Sequence, residues 1–345
     1  MKRVQSFKFL TLLFASSIVA FSCSDDDDSG SNPAPASMTT LYASNNSNGN
    51  ITSYDVTDVA NITTKTLVTT STAADGIYYD SSADAVVQAS RSSNGLEGYN
   101  NVSDVVSGTT IEVNLLGTTD MESPREVAVN GDFYVVADNT DLDNNPETAE
   151  GRFFVYSKNE NAFALRNTIT VNFKVWGMTF NGNNLYAVVD GTNKLAVFSD
   201  FLSNMDDVTI AATKTIIVEG IVRTHGITYD SNSNTMILTD IGDATNTQDD
   251  GGFHIIDDFT SKFNATANGE ILAVGEQTRV SGASTLLGNP VDVAYDSVTG
   301  IVYIAEAGNG GGRILAFNNI GNGGNLTPAV NNNLAAASSV YLTKE

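Results

Sequence analysis

The chain is short of cysteine, of basic residues and of charge in general. Its 345 residues include one cysteine, so no internal disulfide can form. Lys and Arg number 17 against 40 Asp and Glu, a formal net charge of −23. Clustered bases able to neutralise phosphates are missing, which argues against nucleic acid as a partner. Charged residues make up 17% of the chain, where a quarter is usual, so Ser, Thr and Asn cover the surface. The apolar run Phe9–Phe21 holds 13 residues, too few to span a bilayer stably as a helix. What is present suffices for a core: counting Gly in and Tyr out, about 46% of residues are apolar, within the globular range.

The N-terminus reads as an address. Lys2, Arg3 and Lys8 precede the apolar run, the order of a secretory leader. The run ends Ala20-Phe21-Ser22-Cys23, which resembles a bacterial lipobox, with Ala20 where Leu is commoner. The resemblance implies a signal peptide over 1–22 and a lipid on Cys23; an ordinary secretory leader ending near a cysteine is the alternative. Residues 23–38 open Cys23-Ser24-Asp25-Asp26-Asp27-Asp28 and continue in Ser, Gly, Asn, Pro and Ala, a solvated, self-repelling tether. An acidic run directly after the cysteine also resembles the export signal of Bacteroidota surface lipoproteins. It implies an outer-membrane, lipid-anchored, cell-surface protein; a periplasm-facing lipoprotein is the alternative. Losing 1–22 would take three positive charges and bring the net charge to −26.

From Thr39 on, short alternating segments punctuated by Gly, Asn and Asp predict strands, with almost no helical periodicity. Five of these segments are copies: Gly76–Asp80, Glu126–Asn130, Gly177–Asn181, Gly226–Asp230 and Asp292–Asp296. Their ends are spaced by 50, 51, 49 and 66 residues. Second strands follow at Ala85–Ala89, Phe133–Ala137, Leu185–Val189, Met236–Thr239 and Val302–Ala305. Third strands are clearest at Phe153–Tyr156, Leu195–Phe198, Phe253–Ile256 and Ile314–Phe317. An all-strand period near 50 predicts an all-β, six-bladed β-propeller over 39–345, of four-stranded antiparallel blades. Thr40–Ala43 and Ile51–Tyr54 lack a first strand, and Ser339–Leu342 supplies one. The C-terminal strand therefore closes the ring and removes its free edge.

Leu287–Asp296, Tyr303–Asn309 and Arg313–Phe317 together resemble an NHL repeat, with Glu306 where that repeat has Asp and a three-Gly insertion before Arg313. The other copies keep only the skeleton. The chain is thus similar to the NHL and SMP-30-like propellers, a likeness that speaks for fold more than chemistry.

Because the copies align, equivalent positions can be compared within the chain. Just before each inner strand's first residue stand Asp75, Arg125, Trp176, His225, Val291 and Ser338, a varied set at the expected channel mouth. Second strands end at Ser44, Ser90, Asp138, Asp190, Asp240 and Glu306. Asp75, Arg125, Trp176, His225, Asp190, Asp240 and Glu306 are the candidate ligand-binding residues. For the carboxylates the competing reading is a cap on their own turns; for Trp176 and His225 it is packing between blades. Two long loops carry oxygen ligands of the kind calcium takes, Asp138, Asp141, Asp143 and Glu147 in one and Asp243, Asp249 and Asp250 in the other, though neither has EF-hand spacing.

Two functions follow. One is a monomeric, non-catalytic surface lipoprotein binding a small molecule, glycan or protein partner at the channel mouth. The other is what SMP-30 resemblance implies, a metal-dependent lactonase, with Glu306, Asp240 and Asp190 as metal ligands and His225 as general base. Against it, the family's Glu and Asn ligands have no match at equivalent positions, and Arg125 would stand beside the cation.

Overall fold

The structure, a computed structural model, describes residues 38–345 except 144, 146, 147 and 161. The proposed leader, Cys23 and most of the tether lie outside the described residues.

Six sheets are arranged as consecutive blades. In blade one, Ala337–Lys344 is the inner strand, followed outward by Thr39–Asn45, Ile51–Asp55 and Thr63–Leu67. The ends of the chain thus meet in one sheet, Thr39 facing Lys344. The other inner strands are Ala74–Asp80, Pro124–Asn130, Val175–Asn181, Ile227–Asp230 and Pro290–Asp296 of blades two to six. Second strands run Ala85–Ser90, Phe133–Asp138, Asn184–Val189, Thr235–Asp240 and Ile301–Glu306. Third strands run Gly95–Asn100, Gly151–Lys158, Lys194–Phe198, Gly252–Ile256 and Arg313–Phe317. Among the described residues no helix is long and apolar enough to cross a membrane.

Apolar residues explain the ring. Each of the six apolar clusters lies between two neighbouring blades, such as Val135, Phe153 and Ile169 against Val175, Leu185 and Phe198. The alternate residues Tyr134, Val136 and Phe154 of that same blade face the other way, onto Val87 and Leu96. Both faces of every sheet are therefore buried, which is why second strands such as Phe133-Tyr134-Val135-Val136-Ala137 read as unbroken apolar runs.

The outer edges depart from the expected four strands. Val208–Ile210, from the third-to-fourth-strand connection of blade four, adds a parallel strand to Phe163–Val171 of blade three. Ile271–Leu272, from the same connection of blade five, does so for Lys214–Val218 of blade four. Single parallel bridges, Val68 with Thr110 and Val280 with Gly324, repeat the device on blades one and five. Each connection laps onto the preceding blade, supplying partners to backbone groups that an edge strand leaves open.

Candidate functional site at the channel mouth

All inner strands start on one face of the ring, called upper here, where the second strands end. At this rim the ladder slips. Register breaks at Ser338, at Asp75-Gly76, at Arg125-Glu126, at Trp176-Gly177 and at Val291, the varied position in five blades. A bulge at the head of a strand frees a side chain from the sheet's alternation and re-aims it. Here it sends successive blades' side chains toward one another.

They form one connected array. Asp75, buried, pairs with Arg125 at 2.8 Å and accepts a hydrogen bond from Asn46 at 2.6 Å. The Arg125 guanidinium lies 4.0 Å over the Trp176 ring, and Trp176 stacks on His225 with centroids 3.7 Å apart and planes 5° from parallel. His225 Nε2 meets Asp190 Oδ1 at 3.1 Å. Asp190 also takes Arg223 at 2.9 Å and Asn139 at 3.0 Å. The expected Asp75, Arg125, Trp176, His225 and Asp190 thus come together, and the array adds Asn46, Asn139 and Arg223.

Electrostatics set the protonation states. Burial pushes His225 down; the Asp190 carboxylate opposes this, and Arg223 and Arg125 reinforce it, leaving the imidazole below its ordinary value. It is uncharged at neutral pH and donates Nε2–H to Asp190, while Nδ1 is buried with no hydrogen-bond partner among the described residues. Burial resists ionisation of Asp190, but His225, Asn139 and Arg223 outweigh it and hold this carboxyl far below the usual range. With His225 neutral, Arg223 is the cation balancing Asp190. Trp176 is covered by Arg125 on one face and His225 on the other, so neither face is free to stack on a sugar.

The other carboxylates at the ends of second strands serve their own loops. Asp138 accepts the amides of Glu122 and Ser123 at 3.1 and 2.9 Å and pairs with Arg152 at 2.7 Å. Asp240 accepts the amides of Val222, Arg223 and Gly242 at 3.0 to 3.1 Å. Glu306 accepts those of Gly288, Asn289, Gly308 and Asn309 at 2.7 to 3.0 Å. Each clamps the loop that leads into its inner strand, with charge-assisted bonds contributing about 1.5–3 kcal/mol apiece. Asp240 and Glu306 are therefore outside the array, and Glu306, Asp240 and Asp190 do not meet as a metal triad.

In the two candidate calcium loops, described carboxylates bond to their own turns. Asp143 takes the Asn145 amide at 2.9 Å and the Thr148 hydroxyl at 3.0 Å, and Asp243 takes Thr245 twice, at 3.0 and 2.9 Å. Asp141 is buried, and Glu147 lies outside the described residues. Among the described residues, no group of three or more His, Cys, Asp or Glu could hold a metal ion.

Sequence reading missed Glu126 and Asp292. They stand at the first position of the aligned copies, where Gly76, Gly177 and Gly226 are glycine. The signal was two acids in a column of glycines. Both carboxyls are driven toward the neutral form, Glu126 well above its ordinary value by burial and the charge of Asp292, and Asp292 to about 7, chiefly by burial.

Known proteins agree on architecture alone. No family model matches the chain, and no curated protein matches it. The chain is similar to one solved in a nidogen/laminin complex, at TM-score 0.55 and 10% identity over 88% of this chain and 98% of that one. A Bacteroides caccae protein of unknown function aligns at TM-score 0.56 and 11% identity, over 89% and 100%. A Bacteroides uniformis chain described as a "putative 6-phosphogluconolactonase" aligns at TM-score 0.49 and 11% identity, over 88% and 84%, too distant to bear on chemistry. The chain is a six-bladed β-propeller, closed by pairing its C-terminal strand with its first.

Proposed function

We propose that this protein is a lipid-anchored surface propeller that binds a polar partner, without catalysis, at the upper channel mouth. The observation that carries it is the array itself: residues from four successive blades, Asp75, Arg125 and Trp176 at strand-head breaks and His225 and Asp190 beside them, converge at one rim. Arg91 and Arg223 flank it with side chains 35% and 31% exposed. Guanidinium forks at a rim suit carboxylate or other planar polar groups, so a peptide or charged small molecule fits better than a ring-stacked sugar. The anchor rests on the Ala20–Cys23 motif and the acidic residues after it.

Screening the chain against peptide and small-anion arrays tests the site. A ligand found this way is expected to lose at least tenfold in affinity, about 1.4 kcal/mol, in Arg223→Ala and in Arg125→Ala. Wild-type affinity in both variants would remove the upper mouth as the site. For the anchor, Cys23→Ser is expected to move the chain from the membrane to the soluble fraction of its producing cell. Unchanged membrane retention and continued labelling by a fatty-acid analogue would refute it.

A further inference from the structure

Beneath the array the central channel holds a cavity of about 400 Å³. Its lining begins one residue below the stacked side chains, at Glu126 and Asp292, and runs down to Asp230 and Leu342 near the lower face. One residue per blade, at the third position of the aligned copies, forms the wall: Tyr78, Ala128, Thr179, Thr228, Ala294 and Tyr341. Small side chains on one side leave room, and opposite them the Tyr78 and Tyr341 rings meet with centroids 4.8 Å apart.

Glu126 belongs to blade three and Asp292 to blade six, opposite blades of the ring, and both line the channel beneath the array, near enough for the Asp292 charge to oppose ionisation of Glu126. Asp292 is fixed from blade one by the Ser339 hydroxyl at 2.7 Å and the Val340 amide at 2.8 Å. Neither acid has an ion-pair partner among the described residues, and the cavity lining contains no Lys, Arg or His. Two channel carboxyls without a cation, Asp292 buried and Glu126 half-buried, are costly, and keeping one of them protonated is the cheapest way the protein alone can hold them.

We propose that this channel, entered from the lower face, binds an organic ammonium ion, its charged head between Glu126 and Asp292 and its carbon chain along Tyr78 and Tyr341. Binding exchanges the proton held by one of the two acids, released to solvent, for the ammonium, which donates hydrogen bonds to both carboxylates. Aromatic faces attract a cation and also accept its hydrocarbon. A hard metal ion would want six or more oxygens gathered at one point, whereas two carboxyls at one end of the channel with tyrosine rings along its wall are what an amine needs. The volume suits a ligand of modest size. This site lies below the upper mouth, and only the charge of Asp75, paired with Arg125, reaches both acids from it.

Calorimetric titration of the full chain at pH 8 with butylammonium chloride tests the proposal, with butan-1-ol, sodium chloride and calcium chloride as parallel arms. Saturable binding of butylammonium alone is expected. It should weaken at least tenfold in Glu126→Gln and in Asp292→Asn, and disappear in Thr179→Phe, which fills the channel without touching the acids. Arg223→Ala, at the upper mouth, should bind as wild type does. Both acid variants lose a channel acid without a cation and should melt at or above the wild-type temperature; if either fails to fold, Thr179→Phe decides. No saturable binding overturns the proposal, as do equal affinity in the channel variants, binding of butanol as tight as of the amine, or displacement by calcium or sodium at equal concentration.

Discussion

A chain lacking residues 337–345 is expected to lose cooperative folding of the whole ring rather than one strand's worth of stability. Ala337–Lys344 is the inner strand of blade one, paired with Thr39–Asn45 along its length. Its Ala337 and Val340 sit in the apolar cluster between blades six and one. Ser339 and Val340 hold Asp292, and Lys344 pairs with Asp296 at 2.5 Å. Deletion removes one wall of that interface and opens an edge on Thr39–Asn45 that invites aggregation. Every blade buries both faces only because both neighbours are present, so the loss propagates around the ring. Circular dichroism melting should show a broad transition at least roughly 15 °C below that of the intact chain, the equivalent of several kcal/mol. A sharp melt within about 3 °C of the full chain would show that closure is dispensable.

Gly177→Ala is the second large effect. At the strand-head break the inner strands of blades four and five come within backbone contact, and the Gly177 amide donates to the His225 carbonyl at 3.0 Å. A β-carbon there would stand 2.2 Å from that oxygen, far inside van der Waals contact. The obstacle is backbone, so no rotamer relieves it. Separating the strands would break the bond and pull His225 from Trp176 and Asp190. Overpacking alone costs about 1–3 kcal/mol, and the lost bond with its unsatisfied carbonyl adds roughly 1–3 more. Chemical denaturation should show a loss of about 3 kcal/mol or greater, together with changed Trp176 fluorescence in the folded state. A loss under about 0.5 kcal/mol with unchanged fluorescence would contradict the close approach.

Much of the ring was legible because inner and second strands are buried on both faces, and their apolar residues repeat in near-copies. Fourth strands were not, since Val330-Asn331-Asn332-Asn333 is polar and Leu115–Leu116 has two residues. The parallel strands lapped onto blades three and four depend on contacts between blades, which no local pattern records. At the channel mouth, Asp75, Arg125, Trp176 and His225 stood out because the copies put them in one column. Arg223 lies outside the copies and Asn139 in a loop, so nothing marked them. Asp190 and Asp240 end equivalent strands with the same letter, yet one joins the array and the other caps its own loop. The difference lies in which amides turn back toward each carboxylate. Glu126 and Asp292 were overlooked because the column was read for its sameness, when its exceptions held the information.

Thr39 and Lys344 lie side by side at the lower rim, and Asp75, Arg125 and His225 gather at the upper one. A partner gripping the upper array while the chain is held through its N-terminal side would load blade one along its strands. The ladder bonds of antiparallel strands run perpendicular to the strand axis, so those flanking Thr39–Asn45 would resist in shear, all at once. They would not open one after another like a zipper. Pairing the two ends of the chain in one blade therefore makes the first strand a mechanical root, able to bear tension that its few residues could not withstand if peeled.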